Sequence, residues 1–68
     1  MKIYTADNCK ECEMLKKYIP LNAMVINTST DDGLAEALYG GVYSVPTIII
    51  DRHTFQGFYE CRKLLMGE

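Results

Sequence analysis

Apolar and polar residues alternate in two rhythms along the chain, and each change of rhythm marks an element boundary. Met1 to Thr5 carries β-branched and aromatic residues at Ile3, Tyr4 and Thr5, which predicts a first strand. Ala6-Asp7-Asn8 is turn chemistry, because Asp and Asn side chains bond nearby backbone and tolerate unusual dihedrals. Cys12, Leu15 and Ile19 are then spaced at helical intervals, with Lys10, Glu13, Lys16 and Lys17 largely on the other faces. This predicts a helix from about Glu11 to Ile19, stopped by Pro20.

The rhythm changes again at Ala23-Met24-Val25-Ile26-Asn27, a run of strand length that suits a buried strand. A strand, a helix and a second strand in so short a span form a βαβ unit, so the two strands are expected to be parallel. Thr28-Ser29-Thr30-Asp31 supplies capping residues for a second helix, and Asp31 and Asp32 suit its positive end. Leu34, Ala35 and Leu38 form its apolar stripe, and Gly40-Gly41 ends it. Thr47 to Asp51, centred on Ile48-Ile49-Ile50, predicts the strongest strand. Asp51-Arg52-His53 reads as a hairpin turn, Thr54 to Tyr59 as the returning strand, and Glu60 to Met66 as a closing helix with Cys61, Leu64 and Leu65 on its core face. The expected order is βαβαββα.

Composition narrows the class. Sixty-eight residues, 49% of them apolar, make one small soluble domain spanning 1–68. A net charge of −2 argues against nucleic acid or an anionic membrane as partner. The apolar stretch from Val45 to Ile50 is too short to cross a bilayer, and the opening residues do not read as a signal peptide. Three cysteines, an odd count, are then expected to be reduced, in the cytoplasm.

The candidate chemistry lies in Cys9-Lys10-Glu11-Cys12. Two cysteines at this spacing can close a disulfide, hold two corners of a metal tetrahedron, or be unrelated thiols. A disulfide across so short a loop stabilises by only about 2 kcal/mol in the chain-entropy account, so reactivity explains the pair better than stability. Three cysteines with His53 would make a Cys₃His zinc set. Against this, His53 at its turn lies roughly 20 Å from the thiols at strand rise.

A second motif, Ser44-Val45-Pro46-Thr47, changes the picture. With Cys9-Lys10-Glu11-Cys12 upstream and this element order, the chain resembles the thioredoxin superfamily over its whole length, most closely the minimal glutaredoxin-like members. The resemblance implies an α/β thioredoxin-like fold: a four-stranded mixed sheet in the order 2-1-3-4, with helices on both faces. It implies a dithiol oxidoreductase with Cys9 as nucleophile, Cys12 as resolving thiol and a cis Val45–Pro46 bond. Lys10, Ser44, Val45, Pro46 and Thr47 then flank the substrate. The redox-active disulfide needs no metal or organic cofactor, and the protein is expected to act as a monomer on disulfide-containing proteins. Electrons come from a thioredoxin reductase-type flavoenzyme or from glutathione. The alternatives are a glutathione-dependent glutaredoxin and a Cys-ligated metal module.

Lys10-Glu11 departs from the Pro-Tyr or Gly-Pro of the family, and Gly57-Phe58 stands where glutaredoxins carry the glycine pair that helps hold glutathione. The Phe58 ring is expected to crowd that approach, which favours a protein reductase as donor. Cys9, where the first helix opens, is expected to ionise more readily than a free thiol. Unpaired amides and the helix dipole contribute up to about 2 kcal/mol there, while Lys10 and Glu11 nearly cancel. Cys12, one turn on, is expected to face the core. Cys61 reads as a small core residue, with an accessory thiol on the active-site side as the alternative.

Overall fold

The computed structural model describes residues 1–67 as one four-stranded sheet with helices on both faces. Strand β1 (Lys2–Thr5) leads to helix α1 (Lys10–Leu15), a 3₁₀ turn (Lys16–Tyr18) and strand β2 (Met24–Asn27). Helix α2 (Asp31–Tyr39), strands β3 (Thr47–Ile50) and β4 (His53–Gln56) and helix α3 (Phe58–Leu65) complete the chain. The sheet order is β2-β1-β3-β4. β1 pairs parallel with β2, and β3 pairs antiparallel with both β1 and β4, so the expected mixed order and βαβ unit are present.

The period-two alternation of β1 divides the core. Ile3 points to one face with Leu15, Ile48 and Cys61, where α1 and α3 pack. Tyr4 points to the other with Ile26, Ala37 and Val42, where α2 packs. Each cluster is small, as a chain of this length allows.

Four expectations need correction. The first helix is regular only to Leu15; Pro20 forces the preceding Ile19 into extended backbone (φ −77°, ψ 124°), and the turn before it tightens to 3₁₀. β2 is not buried. It is the sheet edge, and its Met24 and Val25 stay 57% and 52% exposed while Ile26 alone is buried. An apolar run looks alike at the edge and at the centre of a sheet, so pattern cannot separate them.

The stripe of α2 is also turned. Gly33 and Ala37 face the sheet, and Leu34 and Leu38 face outward at 47% and 51% exposure. A Cβ at Gly33 would overlap the Asn27 carbonyl, so the missing side chain lets α2 lie close against β2. The last correction is at the hairpin. Its turn is Asp51-Arg52 alone, with a positive φ of 56° at Asp51, and His53 already pairs with Ile50. β4 ends at Gln56, so Gly57 (φ 88°) caps α3 and Phe58 and Tyr59 are helical rather than strand.

Candidate functional site

The loop after β1 is shaped by polar side chains. Asn8 takes φ 57°, a left-handed conformation that Asn tolerates better than most residues. Asn27 Nδ2 donates to Asp7 Oδ1 (3.0 Å), the Asp7 amide donates to Ser29 Oγ (2.9 Å), and Thr28 Oγ1 donates to the Thr5 carbonyl (2.8 Å). These bonds tie the β1–α1 loop to the β2–α2 loop and set where Cys9 enters α1. Asp and Asn mark the turn in the sequence, but their partners some twenty residues away carry no signal there.

Cys9 is the N-cap of α1, with extended backbone (φ −104°, ψ 104°). Its carbonyl accepts from the Glu13 amide (3.0 Å), and its Sγ accepts from the Cys12 amide (3.1 Å). The sulfur therefore occupies the place a Ser or Asp oxygen takes in an ordinary cap. Cys9 and Cys12 form a disulfide with Cα atoms 5.2 Å apart. Cys9 is half-buried, whereas Cys12 is 1% exposed. The expected asymmetry of the two cysteines is present. Lys10 and Glu11 are exposed on the first turn, and Glu13 pairs with Lys16 (3.0 Å) on the solvent side.

The segment before β3 lies at the same end of the sheet, because Tyr4 pairs with Thr47 and Thr5 is thereby beside Pro46. The Val45–Pro46 peptide is cis. Pro46 is buried, Val45 half-buried and Ser44 exposed. Thr47 is fully buried, and its hydroxyl donates to the Ser44 carbonyl (2.7 Å), so it shapes the loop. The Gly57 amide donates to the Pro46 carbonyl (2.9 Å), which anchors the loop to the start of α3. Sequence reasoning had no means of finding that anchor.

Cys61 is fully buried in the α1–α3 face, with Sγ 3.3 Å from the Phe55 carbonyl and 3.7 Å from the Pro46 carbonyl. It reaches the proline loop from behind as a packed thiol. Desolvation pushes its pKa up to about 11 from an ordinary 9.0, against a smaller lowering by a backbone hydrogen bond at Ile48. Because the folded value is the higher, the unfolded chain loses its proton first as pH rises. Stability is then independent of Cys61 below pH 9 and falls between about 9 and 11, by about 2–3 kcal/mol in all. Urea unfolding at pH 8 and pH 10.5 is expected to show a larger loss for the parent than for Cys61→Ala. Equal losses refute this.

Phe58 packs against the α1–α3 core beneath the Arg62 guanidinium, 5.9 Å from its ring centroid. The steric reason for disfavouring glutathione is therefore removed. Among the described residues no three His, Cys, Asp or Glu side chains are grouped to hold a metal. His53 is exposed on β4. Beside Val45 a groove opens against α2, lined by Leu34 and Leu38, which the helical pattern had assigned to the core. No helix among the described residues is long and apolar enough to cross a membrane. No protein-family model, curated protein or solved structure matches the chain.

Proposed function

We propose that the protein is a small, thioredoxin-like dithiol oxidoreductase that reduces protein disulfides, with Cys9 as nucleophile and Cys12 as resolving thiol. One observation carries the reading: Cys9 is half-buried at the start of α1 and its sulfur caps the helix, accepting the Cys12 amide at 3.1 Å, while the Cys12 side chain lies buried one turn behind. The Val45–Pro46 segment at the mouth of β3 supports it, since it stands at the same sheet end as the pair.

An amide donating to sulfur stabilises the thiolate more than the thiol, and the thiolate is the nucleophile. Cys9 thiolate attacks a target sulfur, forms a mixed disulfide and expels the other target sulfur as a thiolate. Cys12 then gives up its proton and attacks Cys9, which releases the second target thiol and closes the Cys9–Cys12 disulfide. Two electrons pass to the target. Burial keeps Cys12 from reacting with targets itself. Lys10, Ser44 and the Val45 backbone line the approach, and an extended target segment meets the loop that Pro46 turns. Such a reductant suits the cytoplasm, where reducing equivalents are supplied.

The test is a trap. Reduced Cys12→Ser protein, mixed with a disulfide-bonded test protein, is expected to yield a covalent adduct through Cys9, seen by intact mass and lost on adding dithiothreitol. No adduct, or one through Cys61, overturns the proposal. In the same variant, thiolate absorbance is expected to rise at a pH below that of an ordinary free cysteine; a midpoint at or above the ordinary value removes the capping argument.

A second reading concerns the electron donor. The N-terminus of α3 has no side-chain cap, and Phe58 is turned into the core, which leaves room for glutathione as well as for a flavin-dependent reductase. Recycling of the oxidised protein by glutathione with its reductase, compared with recycling by thioredoxin reductase, separates the two.

A further inference from the structure

The leucines of α2 are the unexplained feature of the surface. A short amphipathic helix ordinarily turns its largest apolar residues inward. Here Gly33 and Ala37 take that place because a side chain at Gly33 would overlap the Asn27 carbonyl. Leu34 and Leu38 are left half-exposed, and with Ala37, Val42, Tyr43 and Val45 they enclose a groove of about 210 Å³. An engineered cavity of about 150 Å³ takes a benzene ring, so this space suits one Leu, Met or Phe side chain. The groove is continuous with the proposed site, because Val45 lines it and forms the cis bond with Pro46.

Its electrostatics are one-sided. None of the lining residues is charged, Asp31 stands one turn before Leu34 on α2, and Asp32 and Glu36 line a separate groove over β2, where Glu36 is engaged by Lys2 at 2.9 Å. Between Lys17 and Arg52 the chain contains no Lys or Arg, so α2 and the loop before β3 carry no base of their own to offset Asp31, while Lys2 is held by Glu36 and Lys10 lies on α1. A second copy would bring the same acidic face and repel, as would an anionic surface.

We infer that this groove selects the substrate: a protein disulfide in an extended segment that carries a large apolar side chain close to the attacked cysteine and basic residues beside it. The inference rests on the proposed oxidoreductase reading and adds the class of target. The apolar side chain fills the groove, the base meets Asp31, and the partner's sulfur is brought to Cys9 at the same sheet end.

Short peptides with a cysteine in mixed disulfide with 5-thio-2-nitrobenzoate test it on the fully reduced protein in single turnover. Cys9 thiolate attacks the peptide sulfur and expels the coloured thiolate; Cys12 attacks Cys9 and frees the peptide thiol. One peptide series places Leu or Ser two residues from the cysteine, on either side; the other varies Arg or Glu beside it. Leu peptides are expected to react about tenfold faster than Ser peptides, as partial burial of one large side chain implies. Arg is expected to outpace Glu about threefold, and less at high salt. In Leu38→Gln, and in the milder Leu38→Ala, the Leu-to-Ser ratio is expected to fall towards one. The ratio is internal to each variant, so a general loss of activity does not mimic it.

Equal rates for Leu and Ser peptides, an unchanged ratio in both variants, or a preference for Glu overturns the inference while small-disulfide reduction leaves the oxidoreductase reading intact. Failure to reduce either the peptides or bis(2-hydroxyethyl) disulfide overturns both. A dimer found by sedimentation that Leu38→Gln dissociates also overturns it, since the groove would then belong to a second copy.

Discussion

Replacing Cys9 by Ser is expected to reduce the rate of protein-disulfide reduction roughly a thousandfold or more, whereas Cys12→Ser keeps the first step and loses turnover. A hydroxyl in the N-cap place still accepts the Cys12 amide, so the fold and the cap survive Cys9→Ser. What disappears is an ionisable, soft nucleophile, and no other thiol replaces it. Cys12 is 1% exposed, and Cys61 is fully buried with its pKa pushed up to about 11. A stopped-flow measurement with both variants separates the steps: Cys12→Ser shows one rapid stoichiometric phase, Cys9→Ser none. Equal residual rates in the two variants would mean that the cysteines are equivalent, and the assigned roles would fail.

Gly33→Ala is expected to destabilise the protein by about 3 kcal/mol, although Ala is the better helix former. In an open helix position the exchange gains up to about 1 kcal/mol. Here the added Cβ would overlap the Asn27 carbonyl, which is backbone within β2 and cannot rotate away. α2 must lift from the sheet, loosening the Thr30 cap to the Gly33 amide (3.0 Å) and the Tyr4, Ile26, Ala37, Val42 cluster. For a domain of this size that is a large share of a total stability of about 3–10 kcal/mol. Thermal unfolding is expected to fall by roughly 10–20 °C. Gly40→Ala is the control: its Cβ would sit 3.3 Å from the Tyr4 hydroxyl, the end of a side chain, and the change is expected to stay within about 1 kcal/mol. A Gly33→Ala protein as stable as the parent refutes the close-packing account.

Much of the fold was legible because the relevant physics is local. β-branched runs at Ile3-Tyr4-Thr5 and Ile48-Ile49-Ile50, the turn at Asp7-Asn8, the cap at Thr30 and the breaker at Pro20 act within a few residues, and each stands near its expected place. The element order and the sheet order agree with expectation. The boundary after β4 was misplaced because the β-prone Phe58-Tyr59 reads as a continuing strand, and only the positive φ at Gly57 turns the chain into α3 two residues earlier.

For the candidate site, the sequence by itself determined that Cys9 and Cys12 lie close together and that the first of them opens a helix, because a CxxC pair after a turn constrains its own geometry. Tertiary structure alone decided what surrounds it. The anchoring of the Pro46 carbonyl by Gly57, the bond that Asn27 donates to Asp7 and the bond that the Asp7 amide donates to Ser29 join residues distant in sequence, where no spacing rule reaches. It also decided which apolar residues are core. The helical period says that Leu34 and Leu38 share a face, but which face meets the sheet depends on how closely two backbones can approach. A glycine at position 33 made that approach closest on the side away from the leucines.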